Sequence, residues 1–337
     1  MKNRNKYLND GIVLLNKSKG ITSFNAINKL KWLLNANKTG PAGTLDPMAE
    51  GLLVVMINGA TKFSEDLMKK DKEYYVEMEL GYETDTYDSE GEIIKKFDKS
   101  IDMKPEEIKK TVKSFIGDIE QIPPMFSAIK INGEKLYNLA RKGIEVERKK
   151  RKVKIYYIHN IEYDKKALKM SFIVGVSSGT YIRSLVCDIG EKLGVYATMT
   201  RLIRTKISDY NLKDAIKVED MAEFLEKNKD KDLSAEEIDR VLKIRDIESL
   251  LPYESIFINK DKYKKLKNGI TVLMDCLKLK NIKSFRLNGI YKIYTKNNEK
   301  NEEKVFSGIV KIVKIADNKI YLKRDKYFLA RCKFVGL

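Results

Sequence analysis

The sequence predicts an α+β protein of two domains, in which a larger domain of mixed helices and strands is followed by a small β-rich domain. The 337 residues are more than one hydrophobic core usually serves. Apolar patterns of helical and strand spacing are interspersed up to about residue 250, and short strands rich in tyrosine and lysine follow. We therefore expect one domain at 1–250 and a second at 251–337.

Helices are predicted where apolar residues recur every three or four positions. The first is capped by Thr22 or Ser23 and runs to about Leu34. Its apolar face would consist of Phe24, Ile27, Leu30 and Leu34. Pro105 is favourable in a first helical turn and opens another helix. Further helices are expected at Thr61 to Met68, Leu185 to Leu193 and Val218 to Leu225.

Strands are predicted where apolar residues alternate with polar ones or run together. In the first domain they lie at Gly11 to Leu15, Leu52 to Ile57, Val76 to Leu80, Val153 to His159 and Leu168 to Val176. In the second they lie at Ile270 to Met274, Ile290 to Tyr294, Phe306 to Ile315 and Ile320 to Lys323. We expect His159, the single histidine, to end its strand in a structural role, and the acidic run from Asp85 to Glu90 to be solvated.

The segment from Lys38 to Gly51 places a carboxylate beside the core on a loop of restricted shape. It contains three glycines and two prolines, and Pro47 keeps Asp46 extended and out of a helix. The apolar strand Leu52 to Ile57 follows directly. A rigid loop beside the core is a suitable support for a reacting group. The alternative is that Asp46 and Pro47 only form a turn.

Charge and composition narrow the possible functions. Lysine and arginine number 66 against 48 acidic residues, a net charge of +18, which favours a polyanionic partner such as nucleic acid. A single histidine excludes metal sites of two histidines, and no phosphate-binding glycine loop or dinucleotide fingerprint is present. Three scattered cysteines argue against disulfides or a zinc site and favour the reducing cytoplasm. We also expect no signal peptide and no membrane span.

Four stretches of the chain together resemble one enzyme family. The segment Gly43-Thr44-Leu45-Asp46-Pro47, followed by Gly51-Leu52-Leu53, is similar to the catalytic segment of bacterial tRNA pseudouridine synthases of the TruB type. Asp71 to Val76, Gly117 to Pro124 and Gly179 to Arg183 match in the same order, over about the first two-thirds of the chain. The resemblance implies the pseudouridine synthase fold, a mixed, mainly antiparallel sheet flanked by helices, with a C-terminal PUA-like RNA-binding module.

The resemblance also implies roles for five residues. Asp46 would be the catalytic residue, acting on the uridine at position 55 in the T loop of tRNA, and Arg183 would pair with it. Tyr74 would be a stacking platform under the target base, although core packing is the commoner fate of a tyrosine. Tyr181 and Leu202 would line the base pocket.

The stretch from about 123 to 154 corresponds to the mobile RNA-contacting insertion of the family. Basic residues, among them Lys130 and Arg141, alternate here with aromatic and small apolar ones. The run Arg148, Lys149, Lys150, Arg151 and Lys152 follows. The resemblance predicts that these cations bind RNA. The alternative is a solvated charged arm.

Pro41 is a departure from the family inside the best-matched segment. Family members commonly have a histidine at this place, which wedges into the RNA where the target base has left its stack. Proline offers neither the hydrogen bonds nor the aromatic face of histidine, but it can act as an apolar wedge. We expect Pro41 to contact the substrate, and its role is left open.

Isomerisation to pseudouridine breaks the N-glycosidic bond and joins carbon 5 of the uracil to the ribose. Nothing is oxidised and no water is consumed, so we expect no cofactor and no metal. Asp46 could act as a nucleophile on carbon 1′ or as a base at carbon 2′, and the sequence leaves both open. The expected partner is the T arm of tRNA, bound by a monomer that contacts no membrane.

Two other classes of protein remain as alternatives. A non-catalytic RNA-binding or tRNA-folding protein would use the same positive charge and the same C-terminal module. Asp46, Tyr74, Tyr181 and Arg183 together argue against it, because a binder has no use for an anion in its RNA pocket. A nucleic-acid hydrolase would need clusters of metal-binding carboxylates, and none in the sequence is convincing.

Overall fold

The chain forms two compact units in the computed structural model. The first is built mainly from Val13–Met56 and Ser64–Ile244, and the second from Arg245–Leu337 together with Asn9–Ile12 and Ile57–Phe63. The structure describes residues 7, 9–131, 133–228, 231, 233–251, 253–276, 285–298 and 301–325. The assignment of a catalytic domain to 1–250 and an RNA-binding domain to 251–337 stays a proposal.

Up to residue 244 strands and helices are interspersed. The strands are β1 (Gly11–Lys17), β2 (Thr39–Pro41), β3 (Glu50–Ile57), β4 (Lys72–Leu80), β5 (Tyr82–Thr84), β6 (Ile93–Lys96), β7 (Gly117–Gln121), β8 (Lys130–Ile131), β9 (Glu134–Lys135), β10 (Arg151–Asp164), β11 (Lys169–Val176), β12 (Ala197–Ile207), β13 (Tyr210–Asn211) and β14 (Ile216–Lys217). The α-helices are α1 (Ser23–Leu34), α2 (Ser64–Met68), α3 (Pro105–Lys113), α4 (Leu136–Arg141), α5 (Ile182–Leu193), α6 (Val218–Lys227) and α7 (Ala235–Val241). Short 3₁₀ turns lie at Asn58–Phe63 and Leu212–Asp214.

One large sheet dominates this part of the chain. Its strand order is β14-β1-β3-β12-β4-β11-β10-β7, with β2 paired to β3 and β13 paired to β12. The central strand β4 is antiparallel to β11 on one side and to β12 on the other. Parallel pairs occur between β12 and β3 and between β1 and β14. The sheet is therefore mixed and mainly antiparallel, which confirms the predicted fold class.

Helices α3 and α5 cover one face of the sheet. On β4 the alternate residues Val76, Met78 and Leu80 are fully buried, and they share one core cluster with Ile108 of α3 and Leu185 of α5. Each such aliphatic side chain contributes about 1.5–3 kcal/mol when it leaves water. Every second side chain of β4 points toward the helices, and one side of α5 points toward the sheet. These side chains pack together and exclude solvent from this face.

The apolar face of α1 differs from the predicted one. Thr22 caps the helix by accepting a hydrogen bond from the Asn25 amide at 3.1 Å, as expected. Phe24, however, is 69% exposed, so its predicted place on the apolar face is wrong. The buried stripe consists of Ala26, Ile27, Leu30, Leu33 and Leu34. At 100° per residue Phe24 lies about 115° from the centre of that stripe, which puts it on the solvent side.

The strand that contains His159 is longer than predicted. β10 continues to Asp164, which pairs with Lys169 of β11, so the expected strand end at His159 is wrong. The pairing shifts register between His159 and Glu162, and Asn160 adopts a positive φ of 52°. This irregularity interrupts the alternation of buried and exposed residues along the strand. The sequence pattern therefore predicted a strand end at His159, although the strand continues. The His159 ring stacks on Tyr157 with centroids 5.3 Å apart.

The second unit contains a sheet in the order β15-β17-β18-β19-β16. Its strands are β15 (Ser255–Ile258), β16 (Val272–Asp275), β17 (Ile290–Asn298), β18 (Asn301–Ala316) and β19 (Lys319–Arg324), and its α-helix is α8 (Lys260–Lys267). A 3₁₀ turn lies at Ile247–Leu250. The buried residues include Ile256, Ile293, Val310, Ile312 and Leu322. The predicted small β-rich C-terminal domain is confirmed, although β15 and α8 were not predicted.

Glu73 is a buried carboxylate on β4 that joins three strands. It accepts hydrogen bonds from the Tyr157 hydroxyl at 2.7 Å, the Thr205 hydroxyl at 2.8 Å and the Lys206 ammonium at 3.1 Å. Burial alone would raise the pKa of Glu73, but these donors outweigh burial and hold its pKa below the ordinary value. A depressed carboxyl pKa stabilises the fold above about pH 4.3, and this contribution is lost as pH falls through the folded pKa.

Glu73→Gln is expected to lower stability at neutral pH by about 1–3 kcal/mol. The glutamine amide is neutral and has a single acceptor oxygen, so it cannot replace the carboxylate in all three hydrogen bonds. The difference from wild type should shrink below about pH 4, where the carboxyl of the unfolded chain is protonated. Urea unfolding of both proteins, at neutral pH and below about pH 4, measures the loss of stability and its pH dependence. Glu79→Gln, on the same strand and the same face, is the control. Equal losses in the two variants at neutral pH would contradict a special role for Glu73.

Candidate active site

Asp46 lies in the loop between β2 and β3, where its carboxylate is accessible. The side chain is 45% exposed. The Ala42 amide donates to the Val54 carbonyl at 2.9 Å, which ties the start of the loop to β3. After Asp46, the Pro47 carbonyl accepts a hydrogen bond from the Gly20 amide at 2.9 Å. The loop is therefore fixed on both sides of a carboxylate that remains open to solvent.

Two buried side chains from β1 and α1 hold this loop from beneath. The Ser23 hydroxyl accepts from the Leu45 amide at 2.8 Å and donates to the Leu45 carbonyl at 2.9 Å. The Lys17 ammonium donates to the carbonyls of Ile21 at 2.7 Å and Pro47 at 3.2 Å. Burial lowers the pKa of Lys17 to about 8, and the negative charge of Asp46 acts in the opposite direction. Neither supporting residue was identified from the sequence.

Arg183 stands in the first turn of α5 and faces Asp46. Its Nη2 lies 2.9 Å from Asp46 Oδ2, so the structure brings the two residues together. The guanidinium is buried and also donates to the carbonyls of Thr86 at 2.9 Å and Phe126 at 2.7 Å. A buried cation is costly unless its donors are satisfied, and here backbone carbonyls and carboxylates satisfy them.

A second carboxylate, Asp88, completes the surroundings of Arg183. Its Oδ2 lies 3.5 Å from Nη1 of Arg183, and the residue is only 4% exposed. The Thr86 hydroxyl donates to Asp88 Oδ1 at 2.7 Å, and the Glu90 amide donates to it at 3.0 Å. The expectation of a solvated acidic run is therefore wrong for Asp88. Its burial depends on donors within its own turn and on a cation about a hundred residues away, which no local pattern reveals.

Tyr74 and Leu202 lie on neighbouring strands of the sheet. Leu202 of β12 pairs with Val76 of β4, two residues from Tyr74. Tyr74 and Leu202 are buried in the core cluster that also includes Leu45, the residue before Asp46. Whether they contact a base stays a prediction.

Tyr181 caps α5 two residues before Arg183, and Gln121 fixes its backbone. The Gln121 Oε1 accepts from the Tyr181 amide at 3.1 Å, and its Nε2 donates to the Tyr181 carbonyl at 3.3 Å. The Ser184 hydroxyl donates to the neighbouring Ile122 carbonyl at 2.8 Å. Burial raises the pKa of the Tyr181 phenol, so it stays protonated near neutral pH. Gln121 was not singled out in the sequence, where it is one polar residue at the end of a strand.

The other predicted substrate residue, Pro41, ends β2 and is half-buried. β2 is a three-residue strand that pairs only with β3 among the described strands. A proline is tolerated at such an edge because no ladder hydrogen bond is required of it. Pro41 therefore lies where β2 passes into the loop, five positions before Asp46.

The predicted RNA-contacting insertion is an excursion between two paired strands. Gln121 of β7 pairs with Arg151 of β10, so the chain leaves and rejoins the sheet at one place. The excursion contains the β8–β9 pair and α4. Lys130 is exposed on β8, and the Arg141 guanidinium lies 5.7 Å from the centre of the Tyr137 ring. Such a cation beside an aromatic ring is a common arrangement on RNA-binding surfaces.

The basic run at the end of the excursion is not uniform. Lys149, Lys150, Arg151 and Lys152 are exposed. Arg148 is half-buried, and its Nη1 donates to the Pro123 carbonyl at 3.1 Å while Nη2 lies 3.4 Å from Glu145. Arg148 therefore joins the two ends of the excursion, and four of the five predicted cations remain free to meet a phosphate backbone.

The described part of the chain contains no group of three or more histidine, cysteine, aspartate or glutamate side chains placed to hold a metal ion. Within the same residues no helix is both long and apolar enough to cross a membrane.

Two family models match most of the chain. The family described as "TruB family pseudouridylate synthase (N terminal domain)" matches residues 31–182, and "tRNA pseudouridylate synthase B C-terminal domain" matches residues 183–255. The chain is 39% identical over 292 residues to tRNA pseudouridine synthase B of Clostridium kluyveri, covering 86% of this chain and 93% of that protein. The enzyme of the same name from Fusobacterium nucleatum is 50% identical over 204 residues, 60% of this chain and 70% of its own length.

Solved structures share the fold. A chain from a crystal structure of a Cbf5–Nop10–Gar1 complex aligns with a TM-score of 0.66 at 24% identity, covering 95% of this chain and 85% of that one. This mixed sheet and these family matches define a pseudouridine synthase, an isomerase. The chain belongs to the TruB family of pseudouridylate synthases, whose reaction converts uridine in tRNA to pseudouridine.

Proposed function

We propose that this chain isomerises the uridine at position 55, in the T loop of tRNA, with Asp46 as the reacting carboxylate. The observation that carries the proposal is the pair formed by Asp46 and Arg183 at 2.9 Å, in which the carboxylate is accessible and the guanidinium is buried. An accessible anion at the meeting point of a rigid loop, a helix N-terminus and two strands suits a reaction at an anomeric carbon. The position of the uridine rests on the resemblance to the family.

The proposed reaction rearranges bonds within one nucleotide. The bond between N1 of uracil and C1′ of ribose breaks, the base turns, and C5 bonds to C1′. C5 then loses its proton and N1 takes one up. Asp46 acts either as a nucleophile on C1′ or as a base at C2′, and both roles require the ionised carboxylate. Arg183 would hold the carboxylate in place through their contact at 2.9 Å. Atoms balance without an oxidant, a reductant or water, so we propose no cofactor and no metal.

Tyr74, Tyr181 and Leu202 would hold the uracil once it has left the RNA stack. Extruding a base costs a few kcal/mol, and stacking on one aromatic ring returns roughly 1–3 kcal/mol. The burial of Tyr74 and Leu202 in the core cluster that includes Leu45 supports an apolar floor for the base. Such a floor also keeps water from the detached sugar, which water would otherwise trap.

The excursion at 122–150 and the second unit would bind the rest of the T arm. Their exposed lysines and arginines match the charge of a phosphate backbone, and the net charge of the chain is +18. We propose that the second unit acts as a PUA-like RNA-binding domain, that Lys130 and Arg141 contact RNA, and that the enzyme works as a monomer in the cytoplasm.

Replacing the exposed run Lys149–Lys152 by alanines is expected to weaken tRNA binding and to flatten its salt dependence. Each lost phosphate contact should reduce the slope of log affinity against log salt by roughly 0.7–0.9. Filter binding at several salt concentrations measures the slope. A variant with alanine at Lys104, Lys109, Lys110 and Lys113, exposed around α3, changes the net charge equally and serves as the control. Equal slopes for the two variants would mean that the run is a solvated arm.

Pro41→Gly is expected to slow isomerisation of folded tRNA, because it removes an apolar wedge from the rim of the site and frees the loop. The defect should be smaller on a short flexible stem-loop, where less unstacking energy is required. Pro41→His, which restores the common family residue, should remain active on both. Single-turnover rates on the two substrates measure this. Equal defects on both would identify Pro41 as a stiffener of the Asp46 loop instead.

The proposed target is tested by incubating the protein with an unmodified tRNA transcript and mapping pseudouridine along it. We expect modification at position 55, and none in a transcript that carries cytidine there. Pseudouridine at a different position would retain the family reaction and overturn the proposed target.

A further inference from the structure

Arg204 is a fully buried cation of the first unit, and its guanidinium contacts the loop that carries Asp46. The residue stands on β12 and is 1% exposed. Its Nε donates to the Leu52 carbonyl at 2.7 Å, Nη1 to the Thr44 carbonyl at 3.3 Å and Nη2 to the Gly43 carbonyl at 3.1 Å. The three acceptors belong to two segments, the catalytic loop and β3. One planar side chain therefore joins the loop to the strand that follows it.

No carboxylate among the described residues forms an ion pair with Arg204, so backbone dipoles alone compensate its charge. Removing a cation from water costs several kcal/mol after relaxation, and charge-assisted hydrogen bonds to carbonyls recover part of this. An apolar residue would fill the same volume without that cost. A fold that needed only packing here would have no reason to use arginine, which points to the loop geometry as the reason.

The backbone around Arg204 is fitted to this contact. Gly51 of β3 pairs with Arg204 in parallel and has a φ of +100°. A Cβ on Gly51 would lie 2.5 Å from the Arg204 carbonyl oxygen, so the two strands approach more closely than any other residue allows. Gly43 also has a φ of +100°, which turns its carbonyl toward the guanidinium. Two glycines and one arginine thus fix the loop from Gly43 to Gly51.

We propose that Arg204 is a positioning residue for the isomerisation. Its side chain sets the position and orientation of the loop, so that Asp46 contacts both Arg183 and the ribose. It does not touch the substrate; it acts through the carbonyls of Gly43 and Thr44. Lysine cannot replace it, because one ammonium cannot reach three carbonyls of two segments in one plane. The inference rests on the proposed role of Asp46.

The test uses Arg204→Lys and Arg204→Met in the full chain, with Arg201→Lys and Arg201→Met as matched controls. Arg201 is on the same strand but exposed, paired with Glu50 and Glu77. We measure the single-turnover rate at saturating tRNA, the tRNA affinity and the urea midpoint of each variant. Misplacing a reacting group by about 1 Å costs on the order of 100-fold. We expect the Arg204 variants to lose about that much rate with tRNA affinity within about threefold, and the controls to keep their rate.

Adding methylguanidinium to Arg204→Ala distinguishes a positioning role of Arg204 from a role in packing alone. The cation can enter the vacated space and bridge the same carbonyls, so we expect saturable recovery of the rate, and none with methylammonium. Rates of the folded Arg204 variants equal to those of the controls would overturn the proposal. If no Arg204 variant folds, the test uses Gly43→Ala, which keeps Arg204 but strains the loop. We expect this variant to show the same loss of rate at unchanged tRNA affinity. An unchanged rate would overturn the inference. An inactive wild type would instead refute the proposed function.

Discussion

Asp46→Asn is expected to abolish isomerisation while tRNA binds within about tenfold of wild type, a difference of about 1.4 kcal/mol. The amide keeps the size of the carboxylate but supplies neither a nucleophile nor a base at the ribose. Because the loop is held by Ser23, Lys17 and the Gly20 amide through its backbone, the substitution should leave the fold unchanged. Pseudouridine formation in single turnover and filter binding measure the two quantities.

Asp209→Asn is the matched control, since Asp209 is an exposed aspartate in the turn between β12 and β13. It should behave as wild type in both assays. Turnover that survives in purified Asp46→Asn would contradict the proposed mechanism, because no other carboxylate of the described site is accessible beside Arg183.

Arg183→Met is expected to remove activity and stability together. Asp46 loses its ionic partner at 2.9 Å, and Asp88 becomes a buried carboxylate without its ionic partner. Breaking a buried pair from one side costs about 3–5 kcal/mol. We therefore expect a lower urea midpoint and, at a temperature where the variant is folded, a rate reduced by at least about 100-fold, as for losing one electrostatic contact to reacting groups.

The double variant Arg183→Met with Asp88→Asn separates the two losses. Replacing both partners removes the uncompensated charge, so stability should recover in part. Activity should not recover, because Asp46 still lacks Arg183. Recovery of both by Asp88→Asn would show that Arg183 serves only to neutralise Asp88, and its assignment as a partner of Asp46 would fail.

The sequence revealed the loop and its carboxylate because their chemistry is local. Glycine and proline fix the shape of the loop locally, so a rigid loop around Asp46 was predictable from its own neighbours. The choice of Asp46 as a reacting group, rather than part of a simple turn, came from the resemblance to the family. The alternating pattern of β4 and the helical pattern of α5 are equally local, and both elements were predicted near their observed bounds. The mixed sheet itself followed from the resemblance to the family.

The supports of the site were not predictable, because their partners are distant in the chain. Arg204 donates to carbonyls about 160 residues earlier, and Asp88 meets a guanidinium on α5. In the sequence both are ordinary charged residues, which are normally exposed. A buried charge departs from that rule, and only the fold shows which dipoles and counter-charges compensate it. The same limitation explains α8, whose lysine-rich sequence carries only Tyr263 and Leu266 as buried residues.

Release of tritium from carbon 5 of a single labelled uridine, at position 55 of tRNA, tests the central claim most directly. Isomerisation replaces the C5 hydrogen by the bond to C1′, so each converted tRNA must release one label while its uracil stays attached. We expect stoichiometric release by the wild type with no free uracil, and none by Asp46→Asn. Free uracil would indicate a glycosidase, and tight binding of the tRNA without any release would contradict an isomerase built on Asp46.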